Sequence, residues 1–178
     1  MAYTLQQLSD LEDIRLVKHR YFRGIDTADI TLLSGLFTDD LYVDYRGGTY
    51  RARLDGRDNM LEFLANSFHS GAIAMHHGHM PEITLTGADS AEGLWYLEDI
   101  FISVEAKTHT IGSAIYKDVY RREDGSWKIA RTEYDRVIEL IFPLDPAAEV
   151  TSHYLSRVGR KPAERSDISH LISWTEPA

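Results

Sequence analysis

The run Met75-His76-His77-Gly78-His79-Met80-Pro81-Glu82 puts three histidines within four residues. Imidazole changes charge nearest neutral pH of all side chains, so a histidine beside a carboxylate is the usual device for taking a proton from a substrate. Tyr21 and Asp26 lie upstream and Asp99 downstream. A base, two carboxylates and a phenol would make an acid/base site if the fold gathers them. The same histidines leave a second chemistry open. His77 and His79, two apart on one strand face, could ligate a metal together with a carboxylate. That spacing is unspecific, so one functional or core histidine with solvated neighbours is favoured, and no metal is expected.

Each partner has a plainer reading beside the chemical one. Trp95, Leu97, Asp99 and Phe101 share one strand face, which would set a carboxylate among large apolar groups. Such a group is costly unless paired, so a buried ion pair explains Asp99 as well as a catalytic role does. The other face, Leu94, Tyr96, Glu98, Ile100 and Ile102, is also largely apolar with one acid, so which face is inward stays open, as does a bulge that turns Asp99 to solvent. Tyr21 and Asp26 are five apart, about 140° around a continuous helix. They can border one pocket if the helix ends near Gly24; otherwise they are a core tyrosine and a loop aspartate. Arg131 has the strand parity of Trp127 and Ile129 and would point inward, to neutralise a carboxylate or bind an anionic group. Arg136 has the opposite parity, and for either arginine a solvated surface position is the default.

The elements that must position these residues fall into two halves. Ser9 and Glu12 match a capping box, and Leu11, Ile14, Val17, Tyr21 and Ile25 follow at helical spacing. A short helix follows Asp29. Leu41–Tyr45 reads as a strand, Gly47-Gly48 as a turn, and Asp55-Gly56 opens a third helix with Met60, Phe63, Leu64 and Phe68 on one face. Strands are then expected at Glu82–Thr86, Ala91–Val104, Thr108–Arg122 and Ser126–Ile138, with turn chemistry between them at Gly87-Ala88-Asp89, Glu105-Ala106-Lys107 and Asp124-Gly125. Helices first and an antiparallel meander after is an α+β pattern, and long bent strands against helices leave a concave face. Prolines 143, 146, 162 and 177 punctuate a polar tail. Residues 1–140 are therefore expected to form one domain, and 141–178 an extension packing on it or on a neighbouring subunit.

Bulk properties exclude several classes. At 178 residues, 43% hydrophobic and 26% charged, the chain is an ordinary globular domain. A formal charge of −9 argues against nucleic acid or an anionic membrane as the main partner, since both need clustered Lys and Arg. The absence of cysteine removes disulfides, thiol catalysis and cysteine-ligated zinc. No signal-like segment or membrane-length apolar run is visible, and a cytoplasmic location is expected.

The order of motifs resembles a known family. It runs Tyr21…Asp26, Phe37-Thr38-Asp39-Asp40, Asp55-Gly56-Arg57-Asp58, His76-His77-Gly78-His79-Met80-Pro81-Glu82-Ile83, then Tyr116…Tyr120-Arg121-Arg122-Glu123-Asp124-Gly125-Ser126-Trp127-Lys128-Ile129. Over roughly residues 5–140 this resembles the SnoaL-like branch of the nuclear-transport-factor-2-like superfamily, which includes scytalone dehydratase, bile acid 7α-dehydratase and hexachlorocyclohexane dehydrochlorinase. The resemblance implies a cone-shaped α+β barrel, a strongly curved, mainly antiparallel sheet around N-terminal helices enclosing an apolar pocket. It implies a cofactor-independent lyase, most simply a dehydratase acting on a hydrophobic cyclic substrate of polyketide, steroid or aromatic type. An isomerase or polyketide cyclase using the same residues, or a non-catalytic binding module, are the alternatives.

Carried over residue by residue, the family's dyad falls on His76 and Asp26 and its helix tyrosine on Tyr21. Asp99 matches an acidic position of the bile acid dehydratase type. Arg131 is the match for a late-strand arginine, with Arg136 as rival. Tyr42, Met80, Trp95 and Phe101 are the expected pocket walls. Met80 stands where relatives often have asparagine, and His77 and His79 are additional. A homodimer or homotrimer is implied.

Overall fold

Thr4 opens the first helix. Its hydroxyl accepts from the Gln7 amide at 3.2 Å and its own amide donates to Gln7 Oε1 at 2.9 Å, a reciprocal cap. The computed structural model describes residues 2–175; Pro177, part of the proline pattern above, lies outside them. Helix α1 spans Leu5–Asp26, so the expected box at Ser9 and Glu12 is inside the helix. The helix also continues through Gly24 to Asp26. Its apolar stripe, Leu11, Ile14, Val17, Tyr21 and Ile25, is buried. Helix α2 (Ile30–Ser34) is capped by the Asp29 side chain, and α3 covers Arg57–Ser67.

Seven strands form one mixed sheet: β1 Phe37–Arg46, β2 Tyr50–Asp55, β3 Ala72–Leu85, β4 Ser90–Ser103, β5 Thr108–Glu123, β6 Ser126–Pro143 and β7 Ile172–Trp174. Their spatial order is β3-β4-β5-β6-β1-β2-β7. All neighbours pair antiparallel except β1 and β6, which are parallel. The sheet stays open, with β3 and β7 as its edges. Its inner face packs on α1 and α3 in a core that includes Phe37, Leu41, Leu54, Leu97 and Ile129.

Two departures from the expected strands have the same cause. The third strand was expected from Glu82; it begins at Ala72, and the histidines lie within it. Gly78-His79-Met80-Pro81 looks like a break, but the ladder resumes after a shift between His79 and Glu82, where Met80 takes φ 46°. Along β6, two further bulges place an extra residue at Ala130 and at Val137. Each bulge exchanges the faces of everything beyond it.

The segment after β6 returns to the domain. Leu155 and Leu171 are buried. Arg160 forms a two-bond pair with Glu62 at 2.7 and 2.9 Å, and the Ser166 amide donates to Asn66 Oδ1 at 2.8 Å. Strand β7 then extends the sheet along β2, pairing Ala52 with Ile172 and Tyr50 with Trp174.

Candidate active site

The inner face of the sheet, together with α1, α3 and the C-terminal segment, lines a cavity of about 430 Å³, within the range typical of small-molecule sites. Its walls are largely apolar or aromatic: Ile25, Phe63, Leu64, Phe68, Leu97 and Phe101, with Ile168, Ile172 and Trp174 from the C-terminal segment. Polar groups enter from Tyr21, Tyr45, Tyr50, Tyr116 and Tyr134, from His76 and His69, and from Asp99 and Arg136.

His76 faces the cavity because β3 alternates, with Ala72, Ala74, His76 and Gly78 toward the helices. Asp26, the last residue of α1, reaches it from behind. Asp26 Oδ1 lies 2.6 Å from His76 Nδ1, and Oδ2 accepts the His76 backbone N–H at 3.0 Å. Both carboxylate oxygens are thus committed to one residue. The arrangement fixes the ring with N–H at Nδ1 and leaves Nε2 bare for the cavity. Phe22 lies parallel to the imidazole, with centroids 6.2 Å apart, and Phe68 meets it edge-on at 5.3 Å. Tyr21 and Asp26 do not share a helix face; they approach the site from different sides of α1.

The phenols form a second group. Tyr21 and Tyr45 hydroxyls are 2.8 Å apart, Tyr45 stacks on Tyr134 with centroids 4.4 Å apart, and the hydroxyls of Tyr50 and Tyr134 are in contact. Burial pushes the Tyr21 phenol well above its ordinary range, outweighing hydrogen bonds with Tyr45 and Tyr116 that act the other way. Burial does the same to Tyr45, Tyr116 and Tyr134. These groups are neutral donors. Beneath them, the buried Lys18 ammonium pairs with Asp118 at 2.8 Å and lies 3.5 Å from the Tyr116 ring centroid. Burial pushes Lys18 down, against the pull of Asp118.

Asp99 also points inward, and its partner is Arg136. Nη2 donates to Oδ2 at 2.9 Å, and Nη1 contacts Oδ1. Glu139 Oε2 lies 2.9 Å from Arg136 Nε. Burial opposes the guanidinium's charge, but hydrogen bonding to Asp99 prevails and raises it above its ordinary range. Gly112, opposite Asp99 in the β4–β5 ladder, makes room: a Cβ there would sit 2.5 Å from Arg136 Nη1. In this pairing Asp99 accepts with both oxygens and anchors the arginine.

Several expected site residues lie elsewhere. Arg131 points outward, in contact with Glu133, its side chain 54% exposed. The bulge at Ala130 breaks the parity inherited from Trp127 and Ile129, turning Thr132, Tyr134 and Arg136 inward instead. Tyr42 is on the outer surface between Arg53 and Arg131, whose guanidinium carbons lie 5.7 and 5.0 Å from its ring centroid. Met80 occupies the β3 bulge and is 74% exposed. Trp95 has the inward parity but sits deeper than the cavity, donating to the Tyr120 hydroxyl at 2.9 Å, which donates to Asp118 at 2.8 Å. Phe101 does line the cavity, edge-on to Phe68. Tyr45, Tyr50 and Tyr134 escaped the sequence reading; only the inward alternation of their strands could have pointed to them, and for Tyr134 that alternation is interrupted.

Known proteins share this architecture. A hexachlorocyclohexane dehydrochlorinase from Novosphingobium barchaimii superposes with a TM-score of 0.70 at 20% identity, over 83% of this chain and 99% of that one. A candidate scytalone dehydratase from Novosphingobium aromaticivorans gives 0.66 at 22%, over 76% and 89%. A protein of unknown function from Mycobacterium tuberculosis gives 0.61 at 22%, over 96% and 95%. At these identities the likeness shows the fold. A family profile is more specific: the SnoaL-like domain matches residues 6–133, most of the chain, from the first turn of α1 into β6, so this chain belongs to the SnoaL-like domain family.

Proposed function

We propose that the protein is a lyase of the dehydratase type, acting on a neutral, hydrophobic cyclic substrate with His76 as base. The carrying observation is the 2.6 Å contact of Asp26 with His76 Nδ1, which leaves Nε2 at the cavity wall. Nε2 takes a proton from the carbon next to a carbonyl or beside a leaving group. The C–H electron pair forms the new double bond as the C–O bond breaks. The imidazolium, stabilised by Asp26, returns its proton to the departing oxygen, so water leaves and the site is restored. Tyr21, kept neutral by burial and accepting from the Tyr45 hydroxyl 2.8 Å away, donates to the oxygen on which charge develops. Every group in this sequence belongs to the chain itself.

Two solved neighbours carry names of elimination enzymes, a candidate dehydratase and a dehydrochlorinase, which supports this reading. An isomerase or cyclase would use the same base, and product analysis separates them. The test incubates the purified chain with scytalone and, separately, hexachlorocyclohexane, following the unsaturated product and chloride release, alongside His76→Ala. Elimination lost in a folded H76A supports the proposal. Elimination by H76A at the wild-type rate overturns it.

A further inference from the structure

On the other side of β3, facing away from the cavity, the remaining histidines meet a carboxylate that the sequence alone did not assign to them. His77 pairs directly with Glu98 across the β3–β4 ladder, and His79, two residues along the same face, brings Nε2 to 3.4 Å from Glu98 Oε2. The two imidazole rings have centroids 5.9 Å apart. One donor atom from each of the three side chains lies within 4.8 Å of the other two. We propose that His77, His79 and Glu98 bind a divalent cation of the zinc class, revising the expectation that no metal binds here.

Donor type and geometry agree. Two imidazole nitrogens and one carboxylate oxygen are a zinc ligand set, with the fourth position left to water. Bond lengths of about 2.0–2.2 Å at tetrahedral angles put neighbouring donors about 3.4 Å apart. The His79–Glu98 separation already has that value, and the widest gap, at most 4.8 Å, closes by up to about 1.4 Å, within reach of side-chain rotation at exposed positions. The backbone frame is firm, because in-register pairing holds His77 opposite Glu98 on adjacent strands. Among the described residues, no lysine or arginine pairs with Glu98. The two rings likewise make no hydrogen bond that would hold them apart. The chain's charge of −9 favours a cation. Bound metal would clasp β3, an edge of the sheet, to β4 immediately before the bulge at Met80.

Isothermal titration of the untagged full chain with zinc chloride, and cobalt(II) absorption as a second probe, test the site. One ion per chain is expected, with a tetrahedral cobalt spectrum and a zinc-dependent rise in Tm. His77→Ala, His79→Ala and Glu98→Gln should each weaken binding at least tenfold and remove the Tm rise, while H170A, in the exposed C-terminal segment, changes neither. No stoichiometric binding overturns the proposal. So does unchanged affinity in any of the three ligand variants, including retention by E98Q with loss only in the histidine variants, which would mark a two-histidine surface contact.

Discussion

Replacing Asp26 by asparagine should reverse the tautomer of His76. Asp26 Oδ2 accepts the His76 backbone N–H at 3.0 Å while Oδ1 faces Nδ1 at 2.6 Å. An amide can supply only one acceptor oxygen. If that oxygen turned to Nδ1–H, the NH2 group would meet the backbone N–H donor to donor, leaving a partly buried amide unsatisfied at a cost of about 1–3 kcal/mol. The opposite orientation keeps the backbone bond and aims NH2 at Nδ1, which must then be bare. The ring proton moves to Nε2, and the nitrogen at the cavity can no longer take a proton. A comparable reversal in a serine protease triad costs about 10⁴-fold in kcat, equivalent to about 5 kcal/mol of barrier. Because both contacts survive with roles exchanged, the stability change should stay below about 1.5 kcal/mol.

Long-range proton–nitrogen correlation NMR distinguishes the two ring nitrogens without any substrate. At alkaline pH the wild type should show hydrogen on Nδ1 and a bare Nε2, and D26N the reverse, with a nearly unchanged melting curve. The same tautomer in both proteins would refute the orientation argument. Reversal with undiminished elimination would refute the assignment of Nε2 as base.

Other perturbations probe the surroundings. In Gly78→Ala the new Cβ would lie 2.3 Å from Phe22 Cε2, so the ring parallel to His76 must move by about 1 Å; we expect a loss of about 1–3 kcal/mol in denaturant unfolding, and an unshifted midpoint would show that Phe22 has room to yield. Arg136→Met strands Asp99, whose side chain is 3% exposed, and should cost about 3–5 kcal/mol, much of it restored by adding Asp99→Leu; a double variant no more stable than R136M refutes the pairing. Hydrogen bonding from Arg160 holds the Glu62 carboxyl at about 2, below its ordinary 4.5. Its stabilisation is therefore complete above pH 4.5 and fades as pH falls towards 2. With Glu62 about one-third exposed, the gap between wild type and Glu62→Gln should be on the order of 1 kcal/mol at neutral pH and narrow across that window; a gap constant from pH 6 to 3 contradicts the anchor.

Most of the framework was legible because it rests on local periodicity. The apolar stripe of α1, the Asp29 cap, the helix after Gly56 and the long meander all follow from spacings of 3.6 and 2 and from turn residues. The grouping of Trp95, Leu97, Asp99 and Phe101 on one face of β4 was legible for the same reason, since β4 pairs with β5 without interruption. That this face is the inward one was not, because Leu94, Tyr96, Ile100 and Ile102 make the opposite face apolar as well. What escaped depends on bulges. Parity read from Trp127 gives Arg131, and a single extra residue at Ala130 gives Arg136 instead. No turn residue marks Ala130, because a bulge in a long antiparallel strand leaves little trace in composition. The strand start expected at Glu82 misleads in the opposite way: the chain bends at Met80 but stays in the sheet, so the histidines have a partner strand and Glu98 lies opposite His77.

The charges around the cavity are arranged so that a neutral substrate meets neutral or compensated groups. Lys18 is paired with Asp118, Arg136 with Asp99 and Glu139, and His76 with Asp26, while burial keeps the tyrosines protonated. A substrate carrying its own carboxylate or ammonium group would lose its hydration without gaining an uncommitted counter-charge from these residues, which is costly in a largely apolar cavity. The proposed elimination creates charge only after binding. When the proton moves to Nε2, positive charge appears beside Asp26 and negative charge on the substrate oxygen, near buried phenols whose dipoles are already in place. Interactions that barely touch a neutral ground state thus become strong as the charge separates, the condition under which binding groups lower a barrier and do not merely hold the substrate.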